Sequence, residues 1–218
     1  LSLKVKRQKL FDTDITDTGT LFCLIAAVIY LSKYSALGRY EKLIAVVIWL
    51  NLICDIVCFI LGKKEIETGF VYNILLPAER IISLYIYAIA INQNNLKKTF
   101  HLGIVAIVII RLVAIGFESS LLKFQFVANT VEGLLTAILS YLFIRVMIVK
   151  KDDISAVLLG FGVANFLYLT LMASAMSALK LAYLIDKDYS LEFYAVNTLA
   201  YIIWSLTLVT AILWKKKI

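Results

Sequence analysis

Apolar residues in this chain do not alternate with polar ones; they run on continuously for a helix's length at a time. Seven such runs lie at approximately 17–36, 41–62, 68–92, 97–117, 124–148, 154–179 and 190–214. A helix needs about 20 residues to cross the hydrocarbon of a bilayer, and each run approaches or exceeds that length. A transmembrane barrel would instead alternate over strands of about ten residues. The pattern predicts an all-α membrane protein, a bundle of about seven transmembrane helices with short loops, and residues 1–218 as one transmembrane domain. The connections Lys63-Lys64-Glu65-Ile66-Glu67, Asn92-Gln93-Asn94-Asn95 and Lys150-Lys151-Asp152-Asp153 are polar and too short to form a soluble domain. A lone proline, Pro77, predicts mostly straight helices. The first run is the weakest, since its apolar stretch is only Leu21 to Leu31 and Lys33 has to snorkel. With the basic residues before it, this run resembles a signal peptide. No good small-residue cleavage site follows, so it reads as a helix.

Composition strengthens the membrane reading. Hydrophobic residues make up 62% of the chain and charged residues 17%. Soluble domains average about 45–50% and about 25%. One small core could not hide so much apolar surface from water, whereas lipid can solvate it. The net charge of +7 comes mostly from short basic clusters between the runs: Lys4, Lys6, Arg7 and Lys9; Lys63 and Lys64; Lys97 and Lys98; Lys150 and Lys151; Lys215 to Lys217. This is how membrane helices are flanked near lipid phosphates, so membrane lipids are expected partners and nucleic acid is not. Basic residues divide almost evenly between the two faces. A slight excess on the C-terminal side favours N-out and C-in, against which the concentrated N-terminal group argues. Cys23, Cys54 and Cys58 lie inside apolar runs without a CxxC pattern and read as packing residues.

Against this apolar background, the buried polar groups stand out. A charge at a helix centre costs roughly 2.5–3.5 kcal/mol on insertion scales. The chain nonetheless places Asp55 on helix 2, Glu79 and Arg80 on helix 3, Arg111 on helix 4 and Glu132 on helix 5. Asn51, Asn73, Asn165 and Asn197 add amides, and Glu192 stands at the start of helix 7. Because alternate helices run in opposite directions, Asp55, Asn73, Arg111, Glu132 and Asn197 fall in the half of the membrane nearest the N-terminus. Tyr168, Ser174 and Ser177 fall there too, while Glu79, Arg80 and Asn165 lie close to the midplane. Helical spacing groups Asn51 with Asp55; Tyr72 with Glu79, Ser83 and Tyr87; Glu132 with Thr136 and Ser140; and Asn197 with Tyr201 and Trp204 or Ser205. Arg80 points about 100° away from Glu79. Two readings follow. These groups are ions paired to fix helix register, or they line a polar pocket formed by Asn51, Asp55, Tyr72, Asn73, Glu79, Arg80, Arg111, Glu132, Asn165, Asn197 and Tyr201. Ala173 with Ser177 and Ser174 with Ala178 are small-xxx-small pairs suited to close packing. His101, at an interface, reads as structural.

The stretch Tyr72-Asn73-Ile74-Leu75-Leu76-Pro77-Ala78-Glu79, with Asp55 on the preceding helix, resembles a pattern in short, uncharacterised bacterial inner-membrane proteins of seven helices. The resemblance covers helices 2 and 3 and the helix count. It implies a bacterial inner-membrane location, the seven-helix architecture and a role for Tyr72, Asn73, Glu79 and Asp55, but no reaction. Pro77 and Arg80 depart from the pattern, which continues there with apolar or aromatic residues.

Several activities are disfavoured by the residues themselves. Retinal needs a Schiff-base lysine in helix 7, and there is none between Glu192 and Trp214, so no cofactor is expected. One histidine cannot supply a zinc hydrolase or a suitably placed serine-protease base, so neither a metal site nor a catalytic set is expected. No Gly-rich phosphate loop is present. Asp55, Glu79 and Glu132 have acid–base chemistry, but their spacing specifies no substrate, so an enzyme is the less favoured class. The favoured expectation is a sensor, receptor-like protein or accessory subunit that binds a small ligand, lipid or partner helix and signals through a membrane protein partner. The alternative is a small-solute or proton-coupled transporter, for which buried carboxylates beside arginines are suited.

Overall fold

A computed structural model describes residues 18–117, 125–150, 155–185 and 190–215; the side chains of 150, 179–185 and 190–194 lie outside the description. The N-terminal basic cluster, the Lys151–Asp153 connection, Lys216, Lys217 and the Glu192 side chain are therefore outside the described residues. Helix α1 is Thr18–Ser32. Six long helices follow: α2 (Arg39–Lys63), α3 (Gly69–Ala90), α4 (Asn94–Phe117), α5 (Phe126–Lys150), α6 (Ala156–Ile185) and α7 (Ser190–Leu213). No strand occurs among the described residues. The chain is an integral membrane protein of the helical-bundle class. Among the described residues, six helices are long and apolar enough to cross a bilayer.

The first helix departs from expectation. It ends at Ser32 rather than continuing to about residue 36, and a 3-10 turn at Tyr34–Ala36 follows. Its fifteen described residues span about 22 Å. Past Ser32 the hydrogen bonding tightens, with Ala36 N–H donating to the Lys33 carbonyl and Leu37 N–H to that of Tyr34, while Lys33 Nζ reaches the Ile212 carbonyl at the end of α7. Helix α4 starts earlier than expected, at Asn94, and α6 runs on to Ile185, because helix ends extend into polar residues that hydropathy excludes.

Lipid-exposed and packed faces separate cleanly. On α4, Leu102, Val105, Ile109, Leu112 and Val113 are all more than half exposed, as expected for side chains bathed in lipid. The interior is apolar and aromatic around Tyr87, Phe100, Phe143, Phe161 and Trp204, with Tyr87 stacked on Phe143 at 4.3 Å between centroids. Helix α3 packs on α2, α4 and α5, and α6 packs closely on α5 and α7. At the α6–α7 crossing Gly160 lies against Ala211 so closely that an added Cβ would collide with the alanine methyl. Here lipid offers no hydrophobic force between helices, and small residues let backbones approach. Helix α1 closes the bundle between α2 and α7: Cys23 Sγ faces the Ile48 carbonyl, and Gly19 lies against Tyr201 and Thr198.

Two local features shape the helix ends and middle. Helix α2 stops in a Schellman arrangement, with Ile66 N–H donating to the Leu61 carbonyl and Glu65 N–H to that of Gly62. This puts Glu65 in the left-handed region at φ 57°. Pro77 sits inside α3, which continues to Ala90; its missing N–H leaves the Asn73 carbonyl without the usual intrahelical donor.

Candidate functional site: the polar layer around helix α3

The polar groups assemble around α3, whose sequence repeats a pair at a spacing of seven residues: Tyr72-Asn73 and Glu79-Arg80. Seven residues are nearly two full turns, so each member keeps its own face. Tyr72 and Glu79 turn toward α2. Tyr72 is half-buried near Cys58, and Glu79 lines a crevice with Asn51 and Cys54. Asn73 and Arg80 turn the other way, toward α4 and α5.

On that second face lies a buried ion cluster. Glu132, fully buried on α5, accepts from Arg80 Nη1 at 2.6 Å and from Arg111 Nη2 and Nε at 2.7 and 3.0 Å. Arg111 Nη1 also donates to Gln125 Oε1 at 2.9 Å and toward Asn73 Oδ1 at 3.4 Å; its Nη2 reaches Asn129 Oδ1 at 2.9 Å. All three guanidinium nitrogens of Arg111 thus have acceptors, which lets a permanent cation exist away from water. Arg80 is less well served. Its Nη1 bonds to Glu132 and approaches Asn129 Oδ1 at 3.4 Å, but its Nε has no acceptor among the described residues. The amide nitrogens of Gln125 and Asn129 are also buried without partners among the described residues. Two arginines share one carboxylate, so the cluster carries an excess positive charge beside three unspent donors.

The first face is built differently. Asp55 is half-buried and accepts from Thr20 Oγ1 of α1 at 3.3 Å. Glu79 is buried. Among the described residues neither carboxylate forms an ion pair. Asn51 donates to the Val47 carbonyl of its own helix and lies close to Glu79. The crevice between Asn51, Cys54 and Glu79, closed by Leu50, Leu75 and Leu76, has room for about one water molecule. Tyr201 of α7, stacked on Trp204, brings its hydroxyl close to Asp55 and Cys23, without a well-formed hydrogen bond among the described residues.

A third, neutral network ties α3 to α5, α6 and α7. Asn165 Nδ2 donates to Ser83 Oγ at 3.2 Å and to Tyr87 Oη at 3.0 Å, while its Oδ1 accepts from Trp204 Nε1 at 2.8 Å. Tyr87 and Ser140 share a further bond of 3.0 Å. With its amide so engaged, Asn165 works as a connector between helices.

The layer does not gather every expected residue. Asn197 is half-buried and joins none of these networks among the described residues. Ser174 and Ser177 are exposed and bond back to their own helix at Thr170 and Ala173. His101 is exposed, with Nδ1 2.7 Å from the Lys97 carbonyl. Conversely, Gln125 and Asn129 were absent from the expected pocket. They extend the Glu132, Thr136, Ser140 stripe of α5 toward its N-terminus at helical spacing, a signal already present in the sequence.

Comparison with protein-family models, curated proteins and solved structures yields no match for the chain.

Proposed function

We propose that this chain is a membrane-embedded sensor, receptor-like protein or accessory subunit that recognises a small ligand, lipid headgroup or partner helix in the polar layer around α3. The observation that carries this reading is the unspent polar capacity on both faces of that helix. Among the described residues, Glu79 is buried on one face without an ion pair, with Asn51 beside it, and Arg80 Nε, Gln125 Nε2 and Asn129 Nδ2 are buried on the other without acceptors. A cluster serving only to fix register gains most when every group is satisfied, because each buried orphan donor costs about 1–3 kcal/mol. Groups left unsatisfied are ones a binding partner can satisfy.

Helix α3 gives the layer a way to transmit binding. Glu79 and Arg80 are consecutive, so a contact that rotates or shifts α3 on the α2 side also moves Arg80 against Glu132 on the α5 side. In this reading the shift of α3 is passed to another membrane protein packed against the bundle. The basic excess on the face where α7 ends supports an N-out, C-in orientation, and the Tyr72-Asn73 to Glu79 pattern supports a bacterial inner-membrane location.

The test is Glu79→Gln. The variant inserts and folds, and its capture of ligand or partner changes. Unchanged capture together with lowered stability would reduce Glu79 to a packing group and sink the pocket reading. The second reading, a proton-coupled carrier, is favoured by Glu79 in a crevice of one-water size with Asp55 near it, neither in an ion pair among the described residues. Uptake into proteoliposomes that follows an imposed proton gradient, and is lost in Asp55→Asn, distinguishes it.

A further inference from the structure

The α1–α2 connection carries a second feature, independent of the polar layer. A surface groove of about 450 Å3 opens between Tyr34, Arg39, Lys42, Leu43 and Val46. It has two unlike halves. The outer half is cationic. Arg39 is exposed, and Lys42 Nζ lies 5.4 Å from the centre of the Tyr34 ring. The acid between them in sequence does not neutralise them: Glu41 is buried, accepts the Gly38 N–H and pairs with Lys215. Among the described residues neither Arg39 nor Lys42 forms an ion pair. Both stand in the first turn of α2, where the helix dipole adds positive potential.

The inner half is apolar and continues into the membrane. Beyond Leu43, the residues Val46, Ile53 and Ile60 follow at helical spacing and are 42%, 47% and 49% exposed. They form a lipid-facing track about 20 Å long on α2. The cationic end is at an interface, since the same face holds the end of α7 and the exposed Trp214. A soluble anion would use only the cations. A molecule with a phosphate at one end and hydrocarbon at the other uses both halves at once.

We infer that this groove is a binding site for an anionic phospholipid, its phosphate held between Arg39 and Lys42 beside the Tyr34 hydroxyl, and an acyl chain lying along Leu43, Val46 and Ile53. A zwitterionic lipid offers the same phosphate but adds a cation that meets Arg39 and Lys42 unfavourably, so the site prefers a net negative headgroup.

The experiment is native mass spectrometry of the full chain in detergent with equimolar dioleoyl-phosphatidylglycerol and dioleoyl-phosphatidylcholine. The wild type retains phosphatidylglycerol preferentially. Each cation contributes about fivefold, so Arg39→Gln with Lys42→Gln brings the two lipids close to parity. The control, Lys63→Gln with Lys64→Gln at the opposite end of α2, keeps the wild-type preference. Thermal unfolding of all three proteins checks that each is folded. Equal retention of the two lipids by the wild type overturns the inference, as does an undiminished preference in the Arg39 and Lys42 double variant. Displacement of phosphatidylglycerol by millimolar inorganic phosphate reassigns the groove to a soluble anion and also overturns it.

Discussion

Replacing Glu132 by glutamine removes the anion that two buried guanidinium groups share. Glu132 is fully buried and accepts three charge-assisted hydrogen bonds, one from Arg80 and two from Arg111. Glutamine keeps the shape and one carbonyl, but its amide N–H groups meet donors, and both arginines lose their counter-charge. The gross attraction does not set the cost, since burial of the carboxylate opposes it. The relevant quantity is the penalty of leaving a buried charge without its partner, about 3–5 kcal/mol. Equilibrium unfolding in mixed micelles, followed by tryptophan fluorescence, measures it. Arg80→Met on the Glu132→Gln background should cost less than the sum of the single changes, with a coupling of about 1–3 kcal/mol. A loss under about 1 kcal/mol for Glu132→Gln, the scale of an exposed ion pair, would refute the reasoning, because the cluster would then be wet.

Further outcomes follow from other contacts. Gly160→Ala drives its methyl into Ala211 and should cost about 1–3 kcal/mol, with Ala211→Gly restoring most of it in the same unfolding assay. Glu65→Gly relieves a side chain in the left-handed region at φ 57° and should raise stability by about 1 kcal/mol. Tyr201→Phe deletes a buried hydroxyl without a well-formed hydrogen bond among the described residues, so stability should hold or rise while ligand capture falls. Asn165→Leu strands the Trp204 N–H and cuts the links to Ser83 and Tyr87; it should cost about 2 kcal/mol and change Trp204 emission.

Length and hydropathy made the bundle legible, because a membrane demands continuous apolar runs and each of α2 to α7 supplies one. Helix α1 ends before its expected bound, since hydropathy does not register the change to a 3-10 turn at Tyr34–Ala36. Within the layer, direction around α3 was readable from the angle between adjacent residues, and Glu79 and Arg80 do reach different neighbours. Depth was less informative. Residues at one level need not touch, so Asn197 and Ser174 share a half of the membrane with Glu132 yet lie outside its network. Gln125 was overlooked because it precedes the first turn of α5, where a polar residue normally reads as loop. Its backbone N–H and side chain instead bind Asn73 and Arg111.

The central claim is that the polar layer binds something, beyond holding helices together. Native mass spectrometry of the protein extracted gently from its own membrane tests this most directly, comparing the wild type with Glu79→Gln. The expected result is a small molecule or second protein retained on the wild type and reduced in the variant, with both chains folded. A bare chain in both spectra, with Glu79→Gln changing only the unfolding temperature, would contradict it and leave the layer as a device for helix register.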